Sequence, residues 1–301
     1  MVDAVQQAIT VLKAGGVIGL PTETVYGLAA DITQPAAIEK IYTLKGRPRN
    51  HPIIIHIAKT DTLFELAIDI PAYVMPLVHC FWPGPFTLLL KKHPSVREEI
   101  TGGHDTVGVR FPAHPMAQAV IRGLGHPVAA PSANRFGALS PTTAEHVRDA
   151  LGASVDFVLD GGRCPVGIES TIVDATQADY CTVVRHGMIL VEDIRAVVDV
   201  PVLDNVPTSV AAPGNLKRHY CPKKPVKLIE TRPTLSSMLE QENIYWLSFE
   251  TMPHDPQAYA YQLYFQLRLA DASMASCIHI ELPPNTPEWR GILERLHKMI
   301  G

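Results

Sequence analysis

Residues 45–52 read KGRPRNHP and place three permanent cations, Lys45, Arg47 and Arg49, within five positions of a stretch that contains no carboxylate. Two prolines in the stretch stiffen the backbone around these cations. Arginine grips phosphate oxygens through two parallel N–H donors, and lysine acts as a point charge. The stretch therefore predicts a loop that binds phosphate. A solvated basic turn is the alternative, because most charge clusters on protein surfaces bind nothing.

A second stretch, LPTETVYGLAAD at residues 20–31, is rich in hydroxyl groups. Thr22, Thr24 and Tyr26 alternate along it, so in an extended strand their side chains point to one face. Three hydroxyls on one face predict the lining of a polar pocket. An ordinary β-prone edge is the alternative.

Small and polar residues also cluster in PSANRFGALSP at residues 131–141, where Ser132, Asn134 and Ser140 follow a short apolar strand. Small residues allow backbone N–H groups to approach an anion closely. The stretch predicts an anion-binding turn, and a turn that binds nothing is the alternative.

Polar side chains stand among apolar ones in three further strand candidates. TVGVRFP contains Arg110, and a cation buried there needs an anionic partner, either an acidic residue elsewhere or a substrate carboxylate. PIIIHIA contains His56, which among isoleucines is more often a core residue than a ligand contact. IESTIVD brings Ser170 and Thr171 to a strand entry.

The usual signatures of several enzyme classes are missing from the sequence. It contains no GxxxxGK[ST] loop, no GxGxxG turn opening a helix, no HExxH and no GxSxG. The thirteen histidines show no metal-ligand spacing, and the five cysteines are never spaced CxxC. Scattered cysteines suit a reducing cytoplasm and argue against a disulfide framework or a cysteine zinc site.

Composition limits the partners of the chain. The 301 residues are 47% apolar and 19% charged, and 26 basic against 30 acidic residues give a formal charge of −4. Attraction for a polyanion must therefore be local, as in KGRPRNHP. We find no cationic leader at the start and no apolar run near the ~18 residues of a membrane helix. We therefore expect a cytoplasmic protein without a membrane partner.

The helices and strands predicted around these residues divide into two domains. Residues 1–200 mix helices and many strands, with a helix over 36–44 that leads directly into KGRPRNHP. Residues 201–226 are rich in proline and aperiodic, which is typical of an extended linker. In residues 227–301 strand and helix alternate three times, which predicts a small domain with a parallel sheet.

Several of these segments together resemble one family. KGRPRNHP with PSAN forms the KxR…SxN pattern of the YrdC-like threonylcarbamoyl-AMP synthases. PTETVYGL, PIIIHI, WPGPFTLLL, VGVRFP and ESTIVD occur in the order that this family shows, and APGNLKRHYCPKKPV resembles the linker of its longer, two-domain members. The resemblance is strong over residues 5–226 and looser over residues 227–301.

The resemblance implies a fold and a reaction. The fold is α/β: an open, twisted, mixed-sheet YrdC-like domain with a large concave face, plus a small Rossmann-like C-terminal domain. The reaction joins L-threonine, bicarbonate or CO2, and ATP with Mg2+ to give L-threonylcarbamoyl-AMP and pyrophosphate. Other proteins then use this product to build N6-threonylcarbamoyladenosine in tRNA. The absence of a GxGxxG motif argues that the Rossmann-like domain does not bind a dinucleotide.

The resemblance also implies roles for individual residues. Lys45 and Arg47 are the implied catalytic cations. The residues implied to bind ATP are Arg47, His51, Thr106, Ser132, Asn134, Ser140, Arg185 and Tyr220. The residues implied to bind threonine are Thr24, His56, Arg110, Ala130 and Ser170, and Arg110 is implied to bind the threonine carboxylate. The motif implies no metal-binding side chain, so Mg2+ is expected on the ATP phosphates. Arg218, His219 and Tyr220 of the linker are expected to fold over the site as a lid. His51 departs from the asparagine of many relatives.

Two other functions remain open. One is a non-catalytic module that binds double-stranded RNA on a concave basic face, against which the net charge argues. The synthase hypothesis itself keeps a weak RNA contact as an option. The other is a carbamoyl-transfer accessory domain of a larger enzyme, against which the absence of zinc-finger or acylphosphatase-like segments argues.

Overall fold

The computed structural model of the chain describes residues 2–204, 206, 218–230 and 243–300. Within these residues the strands form two sheets, one of ten strands and one of three. The large sheet lies in the first 203 residues, and the small sheet lies beyond the proline-rich segment. The prediction of two α/β units is confirmed.

The large sheet combines parallel and antiparallel pairings. Its strands are β1 (Ile18–Leu20), β2 (Gly27–Asp31), β3 (Ile55–His56), β4 (Phe86–Lys91), β5 (Thr106–Arg110), β6 (Val128–Ala129), β7 (Phe157–Val158), β8 (Thr171–Asp174), β9 (Cys181–Arg185) and β10 (Val202–Leu203). Their order in space is β10-β9-β8-β4-β5-β3-β6-β2-β1-β7. β5 is antiparallel to β4 and parallel to β3, and β6 is antiparallel to both β3 and β2. The mixed sheet expected from the resemblance is confirmed.

The helices pack on this sheet through apolar faces. In the first unit they are α1 (Val2–Lys13), α2 (Pro35–Lys45), α3 (Leu63–Leu66), α4 (Val74–Phe81), α5 (Glu98–Thr101), α6 (Pro115–Leu124), α7 (Ala144–Leu151) and α8 (Val191–Arg195). α1 shows the pattern, since it buries Ala8, Ile9 and Leu12 on one side. These faces and the strands form one large core under the sheet.

The second unit is a small parallel α/β layer. β11 (Val226–Ile229), β12 (Ile244–Leu247) and β13 (Cys277–Glu281) run in the order β11-β13-β12 with both pairings parallel, as predicted. Two helices follow the strands, α9 (Pro256–Ala272) and α10 (Arg290–Ile300). Residues 231–242, which include most of the first helix expected in this unit, and most of the predicted linker fall outside the described residues.

The two units share a hydrophobic core. Leu263 of α9 and Leu296 of α10 lie in one buried cluster with Leu139, Ile168 and Tyr220. Two residues of the predicted linker, Val202 and Leu203, form β10 and pair with β9 in the large sheet. The second unit is therefore packed directly against the first and does not hang from it by the linker alone.

One face of the large sheet carries a separate apolar patch formed by Ile54, Leu89 and Ile172. A Cβ on Gly108 would lie 3.2 Å from Ile54 and 3.3 Å from Leu89, so this glycine lies flat beneath the patch. Because side chains alternate along a strand, Thr106 and Arg110 of β5 lie on the same face as Gly108. Within the described part of the chain, no helix is long and apolar enough to cross a membrane.

Candidate active site

The end of α2 positions the first cations. Gly46 ends the helix in the left-handed conformation, with φ of 63°, and its N–H donates to Thr43 O. This turn brings Lys45 and Arg47 inside the protein, where they are 2% and 9% exposed. Arg49 lies outside, with 67% of its side chain exposed, and pairs with Glu39. KGRPRNHP is thus neither wholly solvated nor wholly buried.

Lys45 joins the basic loop to the PSAN stretch. Its Nζ donates to the carbonyl oxygen of Asn134 at 2.8 Å and to that of Ser132. Asn134 in turn holds the stretch in a tight turn by donating from Nδ2 to the carbonyl oxygens of Arg135 and Ala138. Burial, and secondarily the charge of Arg47, lowers the pKa of Lys45 well below its ordinary value.

Arg47 is oriented by its own loop. Its Nη2 donates to the carbonyl oxygen of Pro52 at 2.8 Å, and its Nε donates to that of His51 at 3.2 Å. Burial lowers the pKa of Arg47 to about 10, so the guanidinium stays charged near neutral pH. The His51 ring packs against that of Phe136 in a T-shaped contact, with 5.2 Å between the ring centroids. The bond that joins His51 to Arg47 is made by its backbone carbonyl oxygen.

One pocket collects most of the predicted residues. Its lining includes five residues predicted to bind threonine and four predicted to bind ATP: Thr24, His56, Arg110, Ala130 and Ser170, and Arg47, Ser132, Arg185 and Tyr220. Lys45, Asn134 and Ser140 are buried and bond to residues of the same wall. The sequence motifs, although far apart in the chain, therefore converge.

Arg110 occupies one end of this pocket. Its Nη1 donates to Thr24 Oγ1 at 2.8 Å, and its Nε donates to the carbonyl oxygen of Gly84 at 3.3 Å. Its Nη2 lies 2.7 Å from Oε1 of Glu23, although the pair lacks hydrogen-bond geometry. The acidic partner that a buried arginine requires is therefore Glu23. Sequence reasoning missed this residue, although it lies inside PTETVYGL.

The prediction that Thr22, Thr24 and Tyr26 share one face of a strand is wrong. β2 begins only at Gly27, and the Thr22 hydroxyl folds back to accept from the Val25 N–H and donate to its carbonyl oxygen. A threonine hydroxyl that bonds its own backbone favours a turn over a strand. Thr22 and Thr24 still meet at 2.9 Å in the pocket, whereas Tyr26 donates to the carbonyl oxygen of Gly162, outside the pocket lining.

His56 lies beside Arg110 at the end of β3. Burial, and secondarily the charge of Arg110, lowers the pKa of His56 to about 3, so its imidazole is neutral at physiological pH. Its Nδ1 is buried and has no hydrogen-bond partner among the described residues. A neutral ring with an unused nitrogen can donate to or accept from a small polar ligand.

Ser170 and Arg185 form the opposite wall. The Ser170 hydroxyl contacts Thr87 Oγ1 at 2.7 Å, and Arg185 donates to Ser170 through both Nε and Nη2 at 3.0 Å. Burial lowers the pKa of Arg185, which is 4% exposed. Arg47, Arg110 and Arg185 thus line a pocket whose lining includes a single carboxylate, that of Glu169.

Glu169 is a second residue that sequence reasoning missed. It accepts from Ser140 Oγ, from the Tyr264 hydroxyl at 3.0 Å and from Arg295 Nε at 3.1 Å. Burial alone would raise its pKa, but the charges of Arg295 and Arg185 outweigh burial and lower it. Its carboxylate is therefore held ionised at the contact between the two units. Its position beside Ser170 is the only signal that the sequence carries.

The segment predicted to fold over the site does reach it. His219 and Tyr220 line the pocket, and Tyr220 has a φ of 61°. Cys221 anchors the segment by donating from its N–H to the carbonyl oxygen of Gly137 at 2.8 Å. Burial lowers the pKa of His219 to about 3. Arg218 faces outward.

Thr106 lies apart from the other predicted residues. It starts β5, opposite Lys91, four residues from Arg110 on the same face of the sheet, which places it about 13 Å from Arg110. The apolar patch of Ile54, Leu89 and Ile172 lies on that face between the two ends. A ligand that reaches both Arg110 and Thr106 must therefore extend across this patch.

Comparisons with known proteins agree with this geometry. Residues 10–187 match the Sua5/YciO/YrdC family model, described as Telomere recombination, and residues 189–299 match a model described as Threonylcarbamoyl-AMP synthase, C-terminal domain. Curated relatives include threonylcarbamoyl-AMP synthases of Pyrococcus abyssi and Bacillus subtilis. The first is 40% identical over 224 residues (73% of this chain, 66% of that protein), and the second is 39% identical over 244 residues (79% and 70%).

A solved structure matches the whole arrangement. The crystal structure of P. abyssi Sua5 complexed with L-threonine superposes with a TM-score of 0.89 at 32% identity, covering 98% of this chain and 94% of that chain. Both units and their mutual placement are therefore shared with that protein.

Proposed function

This chain belongs to the Sua5/YciO/YrdC family, and we propose that it is an L-threonylcarbamoyladenylate synthase. It condenses L-threonine, bicarbonate or CO2, and ATP into L-threonylcarbamoyl-AMP and pyrophosphate. The observation that carries this proposal is the convergence of Arg47, Arg110 and Arg185 on one pocket, with hydroxyl groups between them. A buried cluster in which cations outnumber carboxylates calls for anionic ligands.

Threonine occupies the end of the pocket formed by Arg110, His56 and Thr24. Its carboxylate lies against the Arg110 guanidinium, which the Thr24 hydroxyl and the Gly84 carbonyl oxygen already orient. The neutral imidazole of His56 and the Ser170 hydroxyl are within the same lining and meet its polar groups. Discrimination against serine rests on contacts with a single methyl group, an effect of ~1–3 kcal/mol.

ATP occupies the end formed by Lys45 and Arg47 and extends along the sheet face that carries Ile54, Leu89 and Ile172. The backbone of Ser132 and Asn134, fixed by Lys45, offers small residues against the phosphates. Arg185, Ser140 and Tyr220 complete the nucleotide end. The apolar patch of Ile54, Leu89 and Ile172, with Thr106 at its far side, is a suitable surface for the adenosine.

The chemistry needs no protein nucleophile. The threonine amine adds to CO2 and loses a proton, which gives a carbamate. A carbamate oxygen attacks the α-phosphorus of ATP, and the bond from that phosphorus to the β-phosphate bridging oxygen breaks to release pyrophosphate. Lys45 and Arg47 offset the negative charge that gathers on the phosphates, so positioning and electrostatics supply the rate.

Mg2+ belongs to the proposal as an ion carried by ATP. Among the described residues, no group of three or more histidine, cysteine, aspartate or glutamate side chains is placed to hold a metal ion. Glu23 and Glu169 each face an arginine instead. The residues present therefore fit a metal held by the triphosphate, where it would neutralise phosphate charge.

The product leaves for other proteins that transfer the threonylcarbamoyl group to tRNA, and we place the reaction in the cytoplasm. A module that only binds double-stranded RNA remains the competing function. The formal charge of −4 and the burial of Lys45 and Arg47 inside a pocket disfavour it, because RNA needs exposed cations.

A pyrophosphate-release assay separates the two functions. The synthase releases pyrophosphate from ATP only when threonine and bicarbonate are both supplied, and each omission is its own control. The RNA-binding module shows no turnover and an RNA affinity that falls steeply with salt. Absence of pyrophosphate release in the complete mixture, together with no heat of ATP or threonine binding in calorimetry, contradicts the proposal.

A further inference from the structure

The helix α10 of the second unit reaches the wall of the pocket through Arg295. This side chain is completely buried. Its Nε donates to Glu169 Oε2 at 3.1 Å, and its Nη2 donates to the Glu169 carbonyl oxygen at 3.3 Å. Its Nη1 donates to the carbonyl oxygens of Gly291, at 3.1 Å, and His186. One guanidinium thus fixes both the side chain and the backbone of Glu169.

Glu169 passes this constraint to two residues of the proposed substrate site. Its carboxylate accepts from Ser140 Oγ, at the nucleotide end. Its backbone leads directly into Ser170, whose carbonyl and hydroxyl oxygens accept from Arg185. A shift of Glu169 therefore moves Ser140 and Ser170 together.

The backbone of α10 also packs closely against this wall of the pocket. A Cβ added to Gly291 would lie 2.6 Å from the carbonyl oxygen of Gly187, and one added to Gly187 would lie 2.5 Å from the Thr171 nitrogen. Real Cβ atoms do not approach backbone so closely, so α10, the loop at Gly187 and the Ser170–Thr171 backbone are in direct contact. Glycine at two positions permits this stack.

The same helix also holds the segment that enters the pocket from the linker. The His219 N–H donates to the carbonyl oxygen of Lys298 at 2.8 Å, and Cys221 Sγ lies 3.7 Å from the carbonyl oxygen of Met299. The carboxyl-terminal end of α10 thus anchors His219, and its middle anchors Glu169.

We propose that Arg295 is a positioning residue of the proposed synthase, and that the second unit serves to hold the pocket wall through the Arg295–Glu169 pair. This inference rests on the proposed function. A buried ion pair is a poor source of stability, since hydrophobic replacements are often as stable. Its geometry instead suits alignment, because a misplacement of about 1 Å at a reacting centre costs roughly 100-fold in rate.

The test compares three variants with the wild-type chain. Arg295→Met leaves Glu169 buried without its partner, whereas Arg295→Met/Glu169→Gln removes both charges. Arg290→Met is the matched control, because Arg290 lies on the same helix, pairs with Asp204 and is not among the residues that line the pocket. Thermal unfolding gives the midpoint, and pyrophosphate release gives kcat and the KM values of ATP and threonine.

We expect Arg295→Met to lower both the midpoint and kcat/KM, the latter roughly 100-fold. The double variant regains most of the midpoint while its kcat at saturating substrates stays at least about tenfold low. Arg290→Met keeps kcat and both KM values near those of the wild type.

Two results separate failure of this inference from failure of the proposed function. A double variant that recovers both its midpoint and a wild-type kcat overturns the positioning role and leaves the synthase intact. If the double variant fails to fold, Arg295→Lys is measured instead, because lysine keeps the charge but not the forked donors of arginine. A wild-type kcat in Arg295→Lys overturns the positioning role of Arg295. Absence of turnover in the wild type contradicts both proposals.

Discussion

Two buried arginine–glutamate pairs lie in different regions of the molecule and are satisfied differently. In the pocket, Arg110 Nη2 and Glu23 Oε1 are 2.7 Å apart, but neither atom has a hydrogen-bond partner among the described residues. At the contact between the units, Arg295 donates to Glu169 and to two further carbonyl oxygens. Both pairs are almost inaccessible to solvent.

The difference separates a group that waits for a ligand from a group that holds the structure. Leaving a buried charged group without a hydrogen bond is costly, and a ligand carboxylate can remove that cost. In Arg295, by contrast, all three guanidinium nitrogens donate to protein oxygens. We therefore propose that the Arg110–Glu23 pair serves ligand binding and that the Arg295–Glu169 pair serves to hold the structure.

The largest effect is expected from removing a cation that faces the proposed ligand. Arg47→Ala removes a charge from the phosphate end, and we expect kcat/KM for ATP to fall roughly 1000-fold, the size of losing one donor to transition-state charge. Arg49→Ala is the control, since that exposed side chain pairs only with Glu39 in an ion pair worth at most about 1 kcal/mol. Pyrophosphate release measures both, and equal rates in the two variants contradict the assignment.

Lys45→Ala is expected to lose activity to the same extent but also some stability. Lys45 Nζ holds the carbonyl oxygens of Ser132 and Asn134, and its removal leaves them without this buried donor. Such a loss costs ~1–3 kcal/mol. Arg47→Ala is expected to lose stability too, because Arg47 donates to the carbonyl oxygens of Pro52 and His51. Urea unfolding measures both losses, and a Lys45→Ala variant as stable as the wild type contradicts the role of Lys45 in holding the PSAN turn.

Arg110→Ala tests the pocket pair directly. We expect the KM of threonine to rise about 100-fold, because a charged hydrogen-bonding partner of the carboxylate worth about 3 kcal/mol is lost. The KM of ATP should change little. Steady-state kinetics with each substrate varied in turn gives the answer, and a normal threonine dependence would remove Arg110 from the carboxylate clamp.

Gly291→Ala tests the architectural region without touching a charge. The added methyl group meets the Gly187 carbonyl oxygen at 2.6 Å, so α10 must move away from the pocket wall. Overpacking of this kind costs ~1–3 kcal/mol. We expect a lower unfolding midpoint together with a reduced kcat. A loss of stability with unchanged kcat would show that the wall tolerates displacement of α10.

The two regions should also respond to acid in different pH ranges. His56 and His219 have pKa values lowered to about 3 from an ordinary 6.5, so the unfolded chain takes up their protons first. Stability is then lost as pH falls from 6.5 toward 3, by at most about 1.4 kcal/mol per pH unit for each group.

The contribution of Glu169 to stability is lost only at lower pH. Its pKa is lowered from an ordinary 4.5, so its contribution is present above 4.5 and is lost as pH falls through the lowered value. The free energy of unfolding in urea should therefore fall between pH 7.5 and pH 4.5 through the histidines alone, and His219→Gln should reduce that fall. A flat profile above pH 5 contradicts the burial of neutral histidines.

Sequence reasoning found the ligand-facing residues because their motifs are local. Lys45, Arg47 and Arg110 are recognisable as cations in stiff or apolar surroundings. The burial of Lys45 and Arg47, however, depends on the left-handed turn at Gly46, which no charge pattern reveals. The strand predicted through Thr22 fails because a threonine hydroxyl bonded to its own backbone makes a turn instead.

The architectural residues could not be found in that way. Glu169 and Arg295 are 126 positions apart, and neither lies in a pattern that predicts its partner. A lone arginine in an amphipathic helix such as α10 is ordinarily read as solvent-facing, and only tertiary packing shows that Arg295 is buried. Long-range pairing, not local propensity, decides this part of the site.

That separation along the chain has a consequence for biosynthesis. Chains are made from the amino terminus at about 5–20 residues per second, so roughly 6–25 seconds pass between the addition of Glu169 and that of Arg295. During this interval Glu169 lacks the hydrogen bonds that it later accepts from Arg295. A chain that ends before residue 295 therefore lacks this support of the pocket wall, and we expect it to turn over more slowly than the full chain.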